Sequence, residues 1–480
     1  MKLARHTLFN LLGLGLPLVV ALFSIPALVS GLGEARFGVL TLIWAVTSYF
    51  GLFDLGLGRA LTQALALCLA KGEAGQVPAL TRTALQLMAL LGLLGGLLMA
   101  ALAPLGPDLL RELPNEHELV LACWWMAMAL PAITLTAGLR GALEAVNAFG
   151  WINIVRLPMG LLTFLGPWAV LVLHGPDLVA MTAVLALGRW FGLLAHAVLV
   201  VYLVPGASFW GGWSGAWLPQ LLRAGGWLTL SNVVSPFMGY VDRFLIGAMV
   251  SAAAVAHYAT PQEIVTKLWI VPGALMAVLL PRFAAAGLKA WPLMQRSAEL
   301  LFWLLLPVCS GLAVFAEPLM AGWINPGFAQ QSAPMLQLFA LGILINCSAH
   351  VPLTWLHGQG AYRPPALLHL AELPVFLLLL AGLSLWLGPF GAALAWLLRM
   401  FGDTVGLFWL AARHAGILPR AMLGNGLAGF GLVLLCFAPT LLPPDFAGWR
   451  WGAWFACLLA AATIARRRVP ALLHGSPVSI

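Results

Sequence analysis

Long apolar runs, broken at short intervals by Gly, Pro and charged residues, make up almost the whole chain. A membrane-crossing helix needs roughly 20 predominantly apolar residues, because each residue rises about 1.5 Å through a hydrocarbon core about 30 Å thick. By that rule the pattern predicts spans at approximately 7–32, 37–69, 79–103, 117–140, 151–173 and 178–204. After a break it predicts 224–249, 253–281, 297–320, 334–356, 366–387, 389–412, 421–442 and 447–465. The expectation is an all-α integral membrane protein of about 14 transmembrane helices. The break near 205–222 carries Trp210, Trp213 and Trp217 at spacings of three and four, which suits a short helix lying in the membrane interface.

Composition strengthens this picture. Hydrophobic residues are 62% of the 480 and charged residues only 8%, against roughly 25% charged in a soluble domain. The formal charge of +8 is spread over many short loops and forms no basic stripe, so a nucleic-acid partner is not expected. Lys2 and Arg5 precede an apolar run that continues to about Leu32. That run exceeds the roughly 7–15 residues of a signal-peptide core and reads as a retained first helix.

The basic residues also orient the chain. With a cytoplasmic N-terminus and an even number of spans, seventeen of the 24 Lys and Arg fall on the cytoplasmic side. Only Arg36, Arg111 and Arg450 fall on the far side, where Asp108, Glu112, Glu116 and Glu118 share one loop. Cytoplasmic loops are the ones that carry excess Lys and Arg. Both termini are therefore expected in the cytoplasm. The halves echo each other faintly, with Pro17 in span one and Pro236 in span seven. Internal repeats of this kind are common in transporters.

Enzyme signatures are missing: the chain has no phosphate-binding Walker loop, no dinucleotide fingerprint and no metalloprotease pair. The six cysteines lie in apolar stretches without metal-ligand spacing, so neither a metal nor a cofactor is expected. Asn346-Cys-Ser348 fits a glycosylation sequon but lies within a span. The informative residues are ionisable groups inside spans, where burying a charge costs roughly 2.5–3.5 kcal/mol on insertion scales. Asp54 and Arg59 flank Leu-Gly-Leu-Gly in span two, and Asp242 and Arg243 sit mid-span in span seven. Glu263 and Lys267 are four apart in span eight and share a helix face. Arg399 and Asp403 repeat that spacing in span twelve and read as a self-neutralising staple. Arg189 and Glu372 have no evident local partner.

Phe37-Gly38, followed by Phe53-Asp-Leu-Gly-Leu-Gly-Arg-Ala-Leu-Thr62, resembles the span-two signature of bacterial polysaccharide biosynthesis proteins. Tyr240-Val-Asp-Arg-Phe-Leu-Ile-Gly247, Tyr258-Ala-Thr-Pro-Gln-Glu-Ile-Val-Thr-Lys267 and Pro272-Gly273 extend the likeness. These proteins are Wzx-like oligosaccharide flippases of the multidrug/oligosaccharidyl-lipid/polysaccharide exporter superfamily. The resemblance covers roughly the first 290 residues in motif and the whole chain in span pattern.

It implies two pseudo-symmetric six-helix lobes in a V, at 1–204 and 224–413, joined by a cytoplasmic interfacial linker at 205–223. Two further helices and a cytoplasmic tail follow at 414–480. It also implies a bacterial inner-membrane transporter that turns undecaprenyl-diphosphate-linked glycans to the periplasmic leaflet by alternating access, alongside a glycan polymerase. The headgroup would occupy a central cavity, with Arg59, Arg243 and Lys267 as cationic partners for the diphosphate. Guanidinium groups suit that task because they bind phosphate bidentately. Asp54, Asp242 and Glu263 would exchange H+ or Na+ to drive the cycle.

The sequence departs from expectation in having few intramembrane cations, several with carboxylates beside them. Two other functions therefore stay open: an ion-coupled exporter of small cationic drugs, and an integral-membrane glycan polymerase or glycosyltransferase. The short outer loops, about a dozen residues at most, count against the enzyme.

Overall fold

A computed structural model describes residues 2–50, 56–113, 115–207, 214–417 and 447–474, with part of 431–441. Its elements are helices: α1 (Lys2–Leu32), α2 (Glu34–Phe50), α3 (Leu57–Ala70), α4 (Val77–Leu102), α5 (Gly106–Leu109) and α6 (Glu116–Ala145). Then come α7 (Phe149–His174), α8 (Leu178–Leu203), α9 (Leu218–Met249), α10 (Ala252–Thr266), α11 (Ile270–Ala286) and α12 (Trp291–Val314). The last four are α13 (Ala316–Trp323), α14 (Pro326–Gly358), α15 (Arg363–His414) and α16 (Ala447–His474). Among the described residues eight helical runs are long and apolar enough to cross a membrane; Arg363–His414 holds predicted spans eleven and twelve, and Ala252–Val314 holds span eight and most of span nine.

Predicted spans two and eight are interrupted, and spans eleven and twelve are joined in one element. Span two is divided between α2 and α3, and Gly56, which precedes α3, takes a left-handed φ of 74°. Only glycine adopts that conformation without a steric penalty. Span eight is broken between α10 and α11 by a 3-10 turn at Lys267–Trp269. Pro272 explains the break: it has no N–H to offer the carbonyl four residues earlier, and the preceding turn tightens. Spans eleven and twelve form the single element α15, folded back at Gly388 with φ 60° and ψ −142°. The predicted span at 421–442 lies mostly outside the described residues. So do Trp210 and Trp213 of the expected interfacial helix, of which Gly215–Trp217 forms a 3-10 turn leading into α9.

The chain divides into two compact units, Met1–Ala256 and His257–Ile480. In the first, α6 packs against α2, α3, α4 and α8, and α9 packs against α2 and α3. Lipid tails give no hydrophobic drive between helices, so small residues that allow close backbone approach matter most. A Cβ at Gly96 would lie 2.6 Å from the Ala127 carbonyl, which brings α4 directly onto α6. A Cβ at Gly141 would lie 2.5 Å from the Gly58 carbonyl. Thr62 Oγ1 donates across that contact to the Gly141 carbonyl at 2.9 Å. At the α9–α10 corner, the Arg111 N–H donates to the Gly247 carbonyl and the Ala252 N–H to the Arg111 carbonyl, each at 3.1 Å. Arg36 binds Glu118 through two hydrogen bonds of 3.0 and 2.9 Å.

In the second unit α14 is central, touching α11, α12, α13 and α15. Trp355, Trp396, Phe339 and Tyr258 fill its core and are at most 1% exposed. Trp454 of α16 docks on α12 by donating to Ser310 Oγ at 3.0 Å. Outside these cores Phe23, Leu173, Leu378, Leu385 and Trp386 are each more than 70% exposed. In water such surfaces would drive association; in a bilayer they face lipid.

Candidate functional site

The predicted site residues fall into both units. In the first, α9 carries Tyr240, Asp242 and Arg243 beyond its internal Pro236. Asp242 is 0% and Arg243 3% exposed, so adjacent residues of opposite charge are both buried. The Asp242 carboxylate accepts the Arg243 backbone N–H at 2.8 Å. Arg243 reaches back one turn, and its guanidinium carbon lies 5.5 Å from the centre of the Tyr240 ring. That i, i+3 spacing gives a cation–π contact on one helix face. Arg59 is exposed in the first turn of α3. Asp54 lies outside the described residues.

In the second unit Glu263 and Lys267 form the predicted pair, with Lys267 Nζ 2.6 Å from Glu263 Oε2. Both side chains are partly open, at 43% for Lys267 and 32% for Glu263. Lys267 opens the 3-10 turn that ends at Trp269. From that turn a chain of polar contacts runs inward. Trp269 Nε1 donates to Asn346 Oδ1 of α14 at 3.1 Å. Asn346 Nδ2 donates to Asp403 Oδ2 at 2.9 Å. The other Asp403 oxygen lies 3.3 Å from His369 Nε2. Asn346, His369 and Asp403 are 5%, 5% and 7% exposed. His350 sits one turn from Asn346, its ring 6.3 Å from that of Trp269.

This arrangement corrects the staple expected of Arg399 and Asp403. Asp403 turns to Asn346 and His369, on α14 and the other arm of α15, and Arg399 stands 5.4 Å over the Phe376 ring. Glu372 lies within electrostatic range of Asp403 and Arg399, and both its carboxylate oxygens are buried without a hydrogen-bond partner among the described residues. Asn346, His350 and His369 were not identified from sequence. A signal existed: Asn346 and His350 at i, i+4, and His369 and Glu372 at i, i+3, each interrupt an apolar span on one face. Intramembrane polar groups of this density mark ion or substrate pathways more often than pure scaffolding. Among the described residues no cluster of three or more His, Cys, Asp or Glu has metal-binding geometry.

The model of the family described as Polysaccharide biosynthesis protein matches residues 3–286, more than half of the chain. The chain belongs to that family. The "Putative O-antigen transporter" of Shigella flexneri is 28% identical over 424 residues, covering 87% of this chain and 99% of that protein. Among solved structures, an inward-facing multidrug resistance MATE family transporter of the MOP superfamily aligns with a TM-score of 0.72 and 14% identity, over 86% of this chain and 94% of that one. The lipid II flippase MurJ in an inward closed conformation gives 0.71 and 13%, over 96% and 99%. The fold is thus that of these membrane transporters, an all-α architecture as expected. The motif glycines of the family segment have packing roles here. Gly58 meets Gly141, and Gly247 abuts Leu110, whose side chain a Cβ would approach to 2.7 Å.

Proposed function

We propose that the chain is a flippase that moves an undecaprenyl-diphosphate-linked oligosaccharide across the bacterial inner membrane by alternating access, in surface polysaccharide biosynthesis. The observation that carries this reading is the family match over residues 3–286, supported by the near full-length O-antigen transporter relative. Fold alone does not choose between substrates, because the multidrug transporter and the lipid II flippase align almost equally well, at 0.72 and 0.71. Family and relative favour the glycan over a small cationic drug. They also favour transport over a polymerase or glycosyltransferase.

In this reading the polar headgroup passes through the protein while the lipid tail stays in the bilayer. Arg59, Arg243 and Lys267 offer positive partners to the diphosphate, since charge-assisted and bidentate contacts are the strong ones in a low dielectric. Arg243 is held in place by Tyr240, and Lys267 is held by Glu263 until substrate competes for it. Asp54, Asp242 and Glu263 are the proposed groups for H+ or Na+ exchange. Both termini face the cytoplasm, and a glycan polymerase takes the flipped unit on the far side.

Deletion of the gene, followed by analysis of undecaprenyl-linked glycans, tests the reading. Completed repeat units trapped on the cytoplasmic face would support flipping. Completed units that reach the periplasm yet remain unpolymerised would replace it with a polymerase.

A further inference from the structure

We propose that a cleft at the Arg363–Arg413 end of α15 binds one anionic phospholipid of the surrounding leaflet. The two arms of α15 run back along each other from Gly388, as the Asp403–His369 contact requires. They close tightly at Gly406, where a Cβ would lie 2.8 Å from the Leu368 side chain. One turn further on they part around a cavity of about 390 Å³ lined by Arg363, Pro364, Leu367, Leu368, Trp409 and Leu410. That volume is within the usual range of small-molecule sites, roughly 300–1,000 Å³.

The walls are apolar and the mouth is cationic. Leu367 is 41% and Trp409 45% exposed, so the slot opens towards the bilayer. Arg413 lies one turn past Trp409, with its guanidinium carbon 5.4 Å over that ring. Arg363 and Arg413 are both exposed. Residues 357–368 and 404–417 contain no Asp or Glu. The combination matches one ligand chemistry: a phosphodiester at the guanidinium groups with an acyl chain along Leu367 and Trp409. Basic pockets between transmembrane helices recognise anionic headgroups in this way, and Arg adds bidentate geometry to charge. The basic-loop assignment puts this end at the cytoplasmic leaflet, where both arginines meet lipid phosphate. None of the residues that line the cleft belongs to the charged groups of the proposed transport pathway.

The test is lipid retention by the purified full-length chain in native mass spectrometry, with phosphatidylglycerol and phosphatidylcholine of identical acyl chains. The wild-type chain should retain phosphatidylglycerol at least about tenfold better. Replacing both Arg363→Gln and Arg413→Gln should weaken that retention roughly thirtyfold, from loss of two basic groups at the surface. Leu410→Trp, which fills the slot and keeps both charges, should weaken it as well. Equal retention of the two lipids by the wild-type chain would overturn the proposal, whatever the variants do. So would unchanged retention in the double Gln variant. Displacement of phosphatidylglycerol by equimolar undecaprenyl phosphate would assign the cleft to the carrier lipid instead.

Discussion

The hydrogen bond from Asn346 to Asp403 makes a quantitative prediction about the second unit. At 2.9 Å between side chains 5% and 7% exposed, it joins α14 to the far arm of α15. Interhelical hydrogen bonds in membranes average about 0.6 kcal/mol, with a maximum near 1.7. This one is buried and forms part of a longer chain, so it belongs near the top of that range, at about 1.5 kcal/mol. Each single change costs more than the bond itself. Asn346→Ala also strands Trp269 Nε1, and Asp403→Ala strands Asn346 Nδ2. A buried polar group left without its partner adds about 1–3 kcal/mol. Each single variant should therefore lose about 2–4 kcal/mol of unfolding free energy, with the loss in the double variant about 1.5 kcal/mol smaller than the sum. The assay is reversible unfolding of all four proteins in bicelles. Additivity within about 0.3 kcal/mol would mean that Asn346 and Asp403 are not coupled, because independent sites add to that precision.

Four further outcomes follow from the geometry. Lys267→Ala should leave protein level unchanged, since a partly exposed i, i+4 pair is worth at most about 0.5 kcal/mol, while glycan export falls; full export by this variant would remove Lys267 from the pathway. Arg243→Lys should impair export even though charge is kept, because the planar guanidinium over Tyr240 is what the site holds; wild-type export would show that any cation suffices. Gly96→Leu should abolish accumulation of folded protein, as its side chain would occupy the space of the Ala127 carbonyl, and normal yield would mean that α4 can move away. In a cysteine-free background, a membrane-impermeant maleimide should label Glu112→Cys from the periplasm and reach Glu73→Cys only after permeabilisation; the reverse pattern would invert the topology.

The spans were legible because bilayer thickness imposes a length that apolar runs must meet. Their interruptions were less so. Span eight reads as one apolar stretch, and only the missing N–H of Pro272 betrays the tight turn at Lys267. The Glu263–Lys267 pair was legible because both partners lie on one helix, where spacing alone dictates contact. Asp403 was misread for the complementary reason. Its partners Asn346 and His369 are brought together by the packing of α14 on α15 and the reversal at Gly388, which no local spacing encodes. Arg243 and Asp242 are legible as costly, but the burial of both is set by tertiary packing that no local spacing encodes.

Flipping by the purified chain itself is the most direct measure of its function. Proteoliposomes should be loaded with an undecaprenyl-diphosphate-linked oligosaccharide, and its exposure to an external glycan-modifying enzyme followed with time. The chain should move initially protected glycan into the accessible leaflet far faster than protein-free vesicles do. The Lys267→Ala variant, at equal protein density, should fall back towards the protein-free rate. Identical rates with and without the wild-type chain, under an imposed H+ or Na+ gradient of either sign, would contradict the claim that it is a flippase.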